Sequence, residues 1–461
     1  MSDIVQLPLD MIEWISSVTN STFTAASRQA GGGRKQAWLV DLHNSNGSAE
    51  HIFLRWDQSP ESANIDPWTV RNEAAIYQAL RDTPVPVARF IAMHPTRQAM
   101  LCSRVYGRNW FSHIADETEA LSTAQDFIGH LAALHCLAVK TLGIDHLDAT
   151  LTVAEMALAQ VDELETIVTA RGGEPEPLLV MALRWLRANV PTYCGPAVLV
   201  QGDTGPGNFM YADGRVTAIV DWELAHFGDP MDDLAWVSLR SVQEPFTNLD
   251  DRFAEYTRLS GHALDADRIR YYRVLAEAKI LTMNHGRSLG EVGGGADGGS
   301  DVGARLVFGQ LHRRLCAEAL ADVLGCELPS TIDVPLGRQT ESEELFDVVL
   351  GQLRNVISPR ITDSFALQRT KGLARVIKYL AESSRFGESF AADELDDLSA
   401  ALGERPASVP LGRGLLSVAV RTGRIDDIAA LKVIYRQLLR TNELLRGASG
   451  ALASRHYWPL S

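Results

Sequence analysis

Residues 198–223 read VLVQGDTGPGNFMYADGRVTAIVDWE, which sets two carboxylates and an amide on turns beside short apolar strands. Val198, Leu199 and Val200 form an apolar run ending at Gln201-Gly202-Asp203, and Thr217 to Val220 form another ending at Asp221. Asp213-Gly214 between them is a hairpin turn signal. Pairing of the two runs would bring Asp203 and Asp221 to one end of a small sheet. Asn208 would be held nearby by the loop containing Gly205, Pro206 and Gly207.

Three converging oxygen-bearing side chains suit phosphoryl transfer. That reaction asks a protein mainly for a carboxylate to orient the attacking hydroxyl and for hard oxygen ligands to magnesium. Asp203 fits the first role, Asn208 and Asp221 the second. Gly, Asp and Asn at strand ends also describe ordinary turns. The order of both halves decides in favour of chemistry, because a hairpin separates them and Gly228-Asp229-Pro230 then opens a helix. Asp229 reads as that helix's N-cap, and Asp232 and Asp233 as acidic first-turn residues suited to the helix dipole.

The stretch, continuing as DWELAHFGDPMDDLAWV to Val237, resembles the catalytic and metal-binding loops of the aminoglycoside phosphotransferase-like kinases. That family includes the kinase-like domains associated with acyl-CoA dehydrogenases. The family's usual His-Gly-Asp triplet has Gln201 in first place here, which keeps a hydrogen-bonding side chain and loses the imidazole. The resemblance implies an α+β, protein-kinase-like core of two lobes. It also implies Mg2+ as cofactor and ATP or GTP as co-substrate.

Upstream, Leu9, Ile12, Ile15 and Val18 have helical spacing, and Phe23–Ser27, Gln36–Leu42 and His51–Trp56 read as three antiparallel strands. The turn Gly31-Gly32-Gly33 lets backbone approach a triphosphate, so Gly32 is a candidate nucleotide contact. The resemblance makes Arg55 the cation that faces the nucleotide phosphates, in place of the more familiar lysine. Glu73, in a helix from about Trp68 to Leu80, would be its orienting partner. It likewise makes Cys102 to Val105 the hinge between lobes, with Ser103 and Val105 beside the purine. His135, in an apolar helix, reads as a core or supporting residue rather than a catalyst.

The pattern then becomes helical. Helices are expected over 127–139, 154–169, 178–188, 251–259, 267–285 and 304–324, with a mobile glycine-rich connector over 286–303. Two prolines in CELPSTIDVPLGRQT suggest a domain boundary. The helices expected beyond it, over 344–357, 364–382, 392–402, 413–421 and 425–445, carry no catalytic constellation. This tail resembles an uncharacterised helical domain appended to some members of the family. The expected organisation is an N-lobe over 1–107, a C-lobe over 108–330 and a helical domain over 340–461.

A chain of 461 residues with 46% hydrophobic content can bury more than one core. No apolar run approaches the roughly 18 residues of a membrane span, and the N-terminus MSDIVQLPLD has no secretion-signal pattern, so a cytoplasmic location is expected. Five scattered cysteines show no metal spacing. A net charge of −15 without a basic stripe argues against nucleic acid as a partner. The expected partner is a small-molecule hydroxyl substrate: an aminoglycoside, a choline-like alcohol or, from the dehydrogenase-associated resemblance, a hydroxyacyl thioester. The tail could support homo-oligomerisation or docking. The alternative reading is a nucleotide-binding pseudokinase acting as a scaffold, which Gln201 and Arg55 favour.

Overall fold

A computed structural model describes residues 7–29, 35–58, 66–287, 301–337 and 342–460. Gly32 and residues 288–300 of the glycine-rich connector lie outside them. The chain divides into two compact units. The first comprises Met1–Ala157, Pro191–Ile269 and Tyr457–Ser461, and the second Leu158–Val190 and Arg270–His456.

The first unit begins with helix α1 (Leu9–Thr19) and strands β1 (Ser21–Arg28), β2 (Lys35–Asn44) and β3 (Ala49–Asp57). Helix α2 (Val70–Leu80) and strands β4 (Phe90–Met93) and β5 (Gln98–Ser103) follow. The strands form one antiparallel sheet in the order β1-β2-β3-β5-β4. Alternation along β3 sends Ile52, Leu54 and Trp56 to one face, where they join Trp38, Val40 and Leu42 of β2 beneath Met11 and Ile15 of α1. The buried stripe of α1 is therefore Met11 and Ile15, while Leu9 and Val18 of the expected face are exposed. The residues between, including Arg55, point to the opposite face. Thr69 caps α2, its hydroxyl accepting from the Asn72 N–H at 3.1 Å.

After the sheet come α3 (Glu117–His135), the start of α4 (Val153–Arg171), then β6 (Val198–Val200), β7 (Phe209–Ala212), β8 (Arg215–Ile219) and β9 (His226–Gly228). Helices α6 (Pro230–Gln243) and α7 (Leu249–Ser260) complete the unit. The Asp213-Gly214 turn closes a hairpin as expected, but between β7 and β8. The run 198–200 instead pairs with β9, so Asp203 and Asp221 are brought together by loops of two different ribbons rather than by one.

The second unit is all helical: the rest of α4, α5 (Pro177–Ala188), most of α8 (Ala266–Asn284), α9 (Val302–Leu324), α10 (Glu343–Gln352), α11 (Ser364–Leu402), α12 (Val409–Arg421) and α13 (Asp427–Ser449). Its membership cuts across the expected segments 108–330 and 340–461. Arg184 of α5 donates to the Val420 carbonyl at 2.5 Å and pairs with Asp427. In α9, Gln310 donates to the Leu438 carbonyl at 2.7 Å and Arg314 to the Leu452 carbonyl at 3.0 Å. The two helices expected over 364–382 and 392–402 are one helix of 39 residues. Gly387 is tolerated inside it because Phe390 beyond is buried and rewards continuation. The α+β class stands.

Candidate active site

The loop after β6 hangs from a single carboxylate. Pro230 starts α6, with Asp229 as N-cap accepting from the Met231 N–H at 2.8 Å. One turn in, fully buried Asp233 accepts from the Gln201 N–H at 2.9 Å, the Gly202 N–H at 3.0 Å, the Thr204 hydroxyl and His135 Nε2 at 3.0 Å. Burial would raise its pKa, but the hydrogen bonds from His135, Thr204 and Gly202 outweigh it and hold the carboxyl below the usual range. His135 Nδ1 in turn lies 2.6 Å from the Tyr256 hydroxyl, which makes His135 a support and not a reactant. Asp233 is thus an anchor of the loop rather than only a first-turn charge.

Gly202 has φ +83°, and a Cβ there would stand 2.3 Å from the Leu224 carbonyl oxygen, so the turn into Asp203 requires glycine. The Gln201 amide donates to the carbonyls of Val220 at 2.9 Å and Asp221 at 2.8 Å, which ties the Asp203 loop to the Asp221 loop. Asp221 itself sits at φ +65°, a left-handed conformation uncommon for a residue with a side chain. The adjoining Trp222 is buried and donates to the Ile219 carbonyl at 3.1 Å, helping to hold that turn.

Asn208 reaches back to Asp203, its Nδ2 donating to the carbonyl at 2.8 Å and to the carboxylate at 2.6 Å. Arg240 of α6 closes the arrangement. Its Nε donates to the Pro206 carbonyl at 3.2 Å and its Nη2 to Asn208 Oδ1 at 3.2 Å, while Nη1 lies 3.7 Å from Asp203. The glycines on either side of Pro206 make room for this arginine: a Cβ on Gly205 or Gly207 would stand 2.7 or 2.5 Å from its side chain. Burial pushes the Asp203 carboxyl up to about 6, with Arg240 acting against it.

The other face of the sheet supplies the cations. Arg55 places Nε 3.5 Å from Glu73 and Nη2 3.0 Å from both Asp221 and Glu223. The expected pairing of Arg55 with Glu73 is therefore part of a larger cluster. Lys35 of β2 joins it, with Nζ 2.6 Å from Glu223 and 3.8 Å from Glu73. Burial opposes ionisation of Glu223, but Lys35 and Arg55 prevail and hold its pKa at about 2. Glu73, more deeply enclosed, is raised by burial despite the same two cations. Ser103 closes β5 opposite Ile52 and Val105 follows in irregular chain, so both lie where β5 ends, beside the first half of β3.

Sequence reasoning singled out neither Lys35, Glu223 nor Arg240, and it assigned Asp233 only a dipole role. A signal existed for Arg240. It follows Asp233 by seven residues, two helical turns, and so shares the face turned to the Asp203 loop.

Residues 60–272 match the phosphotransferase enzyme family. That segment is similar to this family. It holds every described site residue except Lys35 and Arg55. The chain is 33% identical over 111 residues to acyl-CoA dehydrogenase family member 11 of Rattus norvegicus. It is 32% identical over 111 residues to the protein of that name in Mus musculus. Each alignment covers 24% of this chain and 14% of the relative, so the similarity spans about one seventh of those proteins. Among solved structures, macrolide 2′-phosphotransferase MphH of Brachybacterium faecium superposes with a TM-score of 0.45 at 15% identity, covering 68% of this chain and 98% of that one. Aminoglycoside phosphotransferase APH(4)-Ia gives 0.43 at 15% identity, covering 60% and 90%. Among the described residues, no helix is long and apolar enough to cross a membrane.

Proposed function

We propose that the protein is a nucleotide- and magnesium-dependent phosphotransferase that phosphorylates a hydroxyl of a small molecule. The observation that carries this reading is the junction of two loops. Asp203, fixed by Asn208 and Arg240, is tied through Gln201 to Asp221, which faces Arg55.

Asn208 and Asp221 fit magnesium. Both offer hard oxygens, their main chains meet through the Val220 N–H and Asn208 carbonyl at 3.0 Å, and both side-chain oxygens already face a cation. Among the described residues no three His, Cys, Asp or Glu side chains form a metal cage. This agrees with an ion that takes its other ligands from phosphates and water. When bound, magnesium would neutralise phosphate charge. Asp203 would orient the acceptor hydroxyl and take its proton as the phosphoryl group moves, and Arg55, steadied by Glu73, would hold the nucleotide phosphates. Ser103 and Val105 are proposed to border the purine, ATP or GTP.

For the acceptor, similarity to acyl-CoA dehydrogenase family member 11 favours a hydroxyacyl thioester over an aminoglycoside or choline-like alcohol. The test is nucleotide consumption against panels of all three, with and without magnesium. Magnesium-dependent consumption with one hydroxylated class supports the reading. Nucleotide binding with no consumption across the panels favours the scaffold alternative.

A further inference from the structure

Five ionisable side chains meet where β2 and β3 face the Asp221 loop: two cations, Lys35 and Arg55, and three carboxylates, Glu73, Asp221 and Glu223. In the β2–β3 register Ala37 stands opposite Arg55, and Lys35, two residues before Ala37, projects on the same face. Arg55 alone already gives Glu73 an opposite charge, so a second buried cation is more than that carboxylate requires. Burying an ammonium is costly unless something is gained from it. Its close partner is Glu223, at 2.6 Å, and the two differ in exposure: Lys35 is 5% exposed and Glu223 29%. The lysine is enclosed, and the carboxylate that holds it is the more exposed partner.

Resting on the phosphotransferase reading above, we propose that Lys35 is a second phosphate-binding cation, and that the Glu223 carboxylate occupies the phosphate position until a nucleoside triphosphate displaces it. The exchange is balanced in kind. Phosphate oxygens replace carboxylate oxygens as acceptors from Lys35 Nζ and Arg55 Nη2, while Glu73 stays behind and continues to orient both. The two cations are suited to different parts of the task. Arg55 offers a planar fork held by three carboxylates, whereas the lysine is a point charge on a flexible stem that can follow a phosphate. The cluster carries two positive against three negative formal charges, so removal of Glu223 from between the cations also lowers repulsion of the incoming polyanion.

Calorimetric titration of the full chain with magnesium and ATP or GTP, set beside the corresponding monophosphate, tests this. Lys35→Met should weaken triphosphate binding by about tenfold or more, the scale of a charge-assisted contact, and leave monophosphate binding unchanged. Lys35→Arg should recover most of the loss, and Glu223→Gln should tighten triphosphate binding severalfold. Equal loss of triphosphate and monophosphate affinity in Lys35→Met would overturn the proposal, since the lysine would then only hold the sheet. So would unchanged triphosphate affinity in that variant, or magnesium-dependent weakening in Glu223→Gln. A wild-type chain that binds neither nucleotide would instead overturn the phosphotransferase reading on which the proposal rests.

Discussion

Replacing Asp233 by Asn removes one charge and one acceptor oxygen from a carboxylate that serves four donors. One oxygen takes the Gln201 N–H and His135, the other the Gly202 N–H and the Thr204 hydroxyl. Whichever way the amide is turned, its NH2 confronts one of these pairs, so two buried donors lose their acceptor. At about 1–3 kcal/mol for each buried unsatisfied group, the loss is roughly 2–6 kcal/mol. At about 2–4 °C per kcal/mol for a unit of this size, the first unit should melt on the order of 10 °C lower by scanning calorimetry. Displacement of Asp203 by about 1 Å should also cost turnover about a hundredfold. The acid limb provides a check. Asp233 has a lower pKa folded than the roughly 4 of an unfolded chain, so its contribution is complete above about pH 4 and is lost as pH falls through the folded value. The gap between wild type and variant should therefore narrow below about pH 4. An unchanged melting temperature with unchanged turnover at pH 7 would refute the anchoring role.

Gln201→His should keep most activity, because a ring N–H can still reach one of the two carbonyls on the Asp221 loop. Loss of the other bond should cost about 1 kcal/mol in denaturant unfolding. Arg240→Met should lower turnover far more than nucleotide affinity in titration, since the side chain steadies Asp203, Pro206 and Asn208. A chain truncated after Pro335 should aggregate or melt ~10 °C or more below the full chain. It strips α5 and α9 of their contacts with Val420, Asp427 and Leu438, and removes the core residues Leu431, Ile434 and Tyr435. A soluble truncated chain with native melting would restore the separable tail that the proline-bearing linker suggests.

The spacing of Asp203, Asn208 and Asp221 was legible because turns demand particular residues and because chemistry demands others at the same places. Arg55 was singled out by the family resemblance, and alternation along β3 is what sets it opposite the core face. The partner of β6 was not legible: β9 is three residues long, and its pairing depends on the whole course of the chain between them. Lys35 was hidden for a related reason. Its face is fixed only by the register that sets Ala37 against Arg55, and sequence alone leaves that register free. The proline-bearing linker near 335 lies within the second unit, whose membership follows packing among helices distant in sequence. The break expected between 382 and 392 is absent because burial of Phe390 rewards continuation of α11.

The central claim is that Asp203 prepares an acceptor hydroxyl beside a magnesium-nucleotide site. Phosphorus NMR of wild type and Asp203→Asn, with magnesium, ATP or GTP and the hydroxyacyl thioester panel, tests it most directly. The account predicts a phosphoester product from wild type. In the variant, product formation should be about two or more orders of magnitude slower while nucleotide binding is retained. Wild-type rates from Asp203→Asn would contradict it.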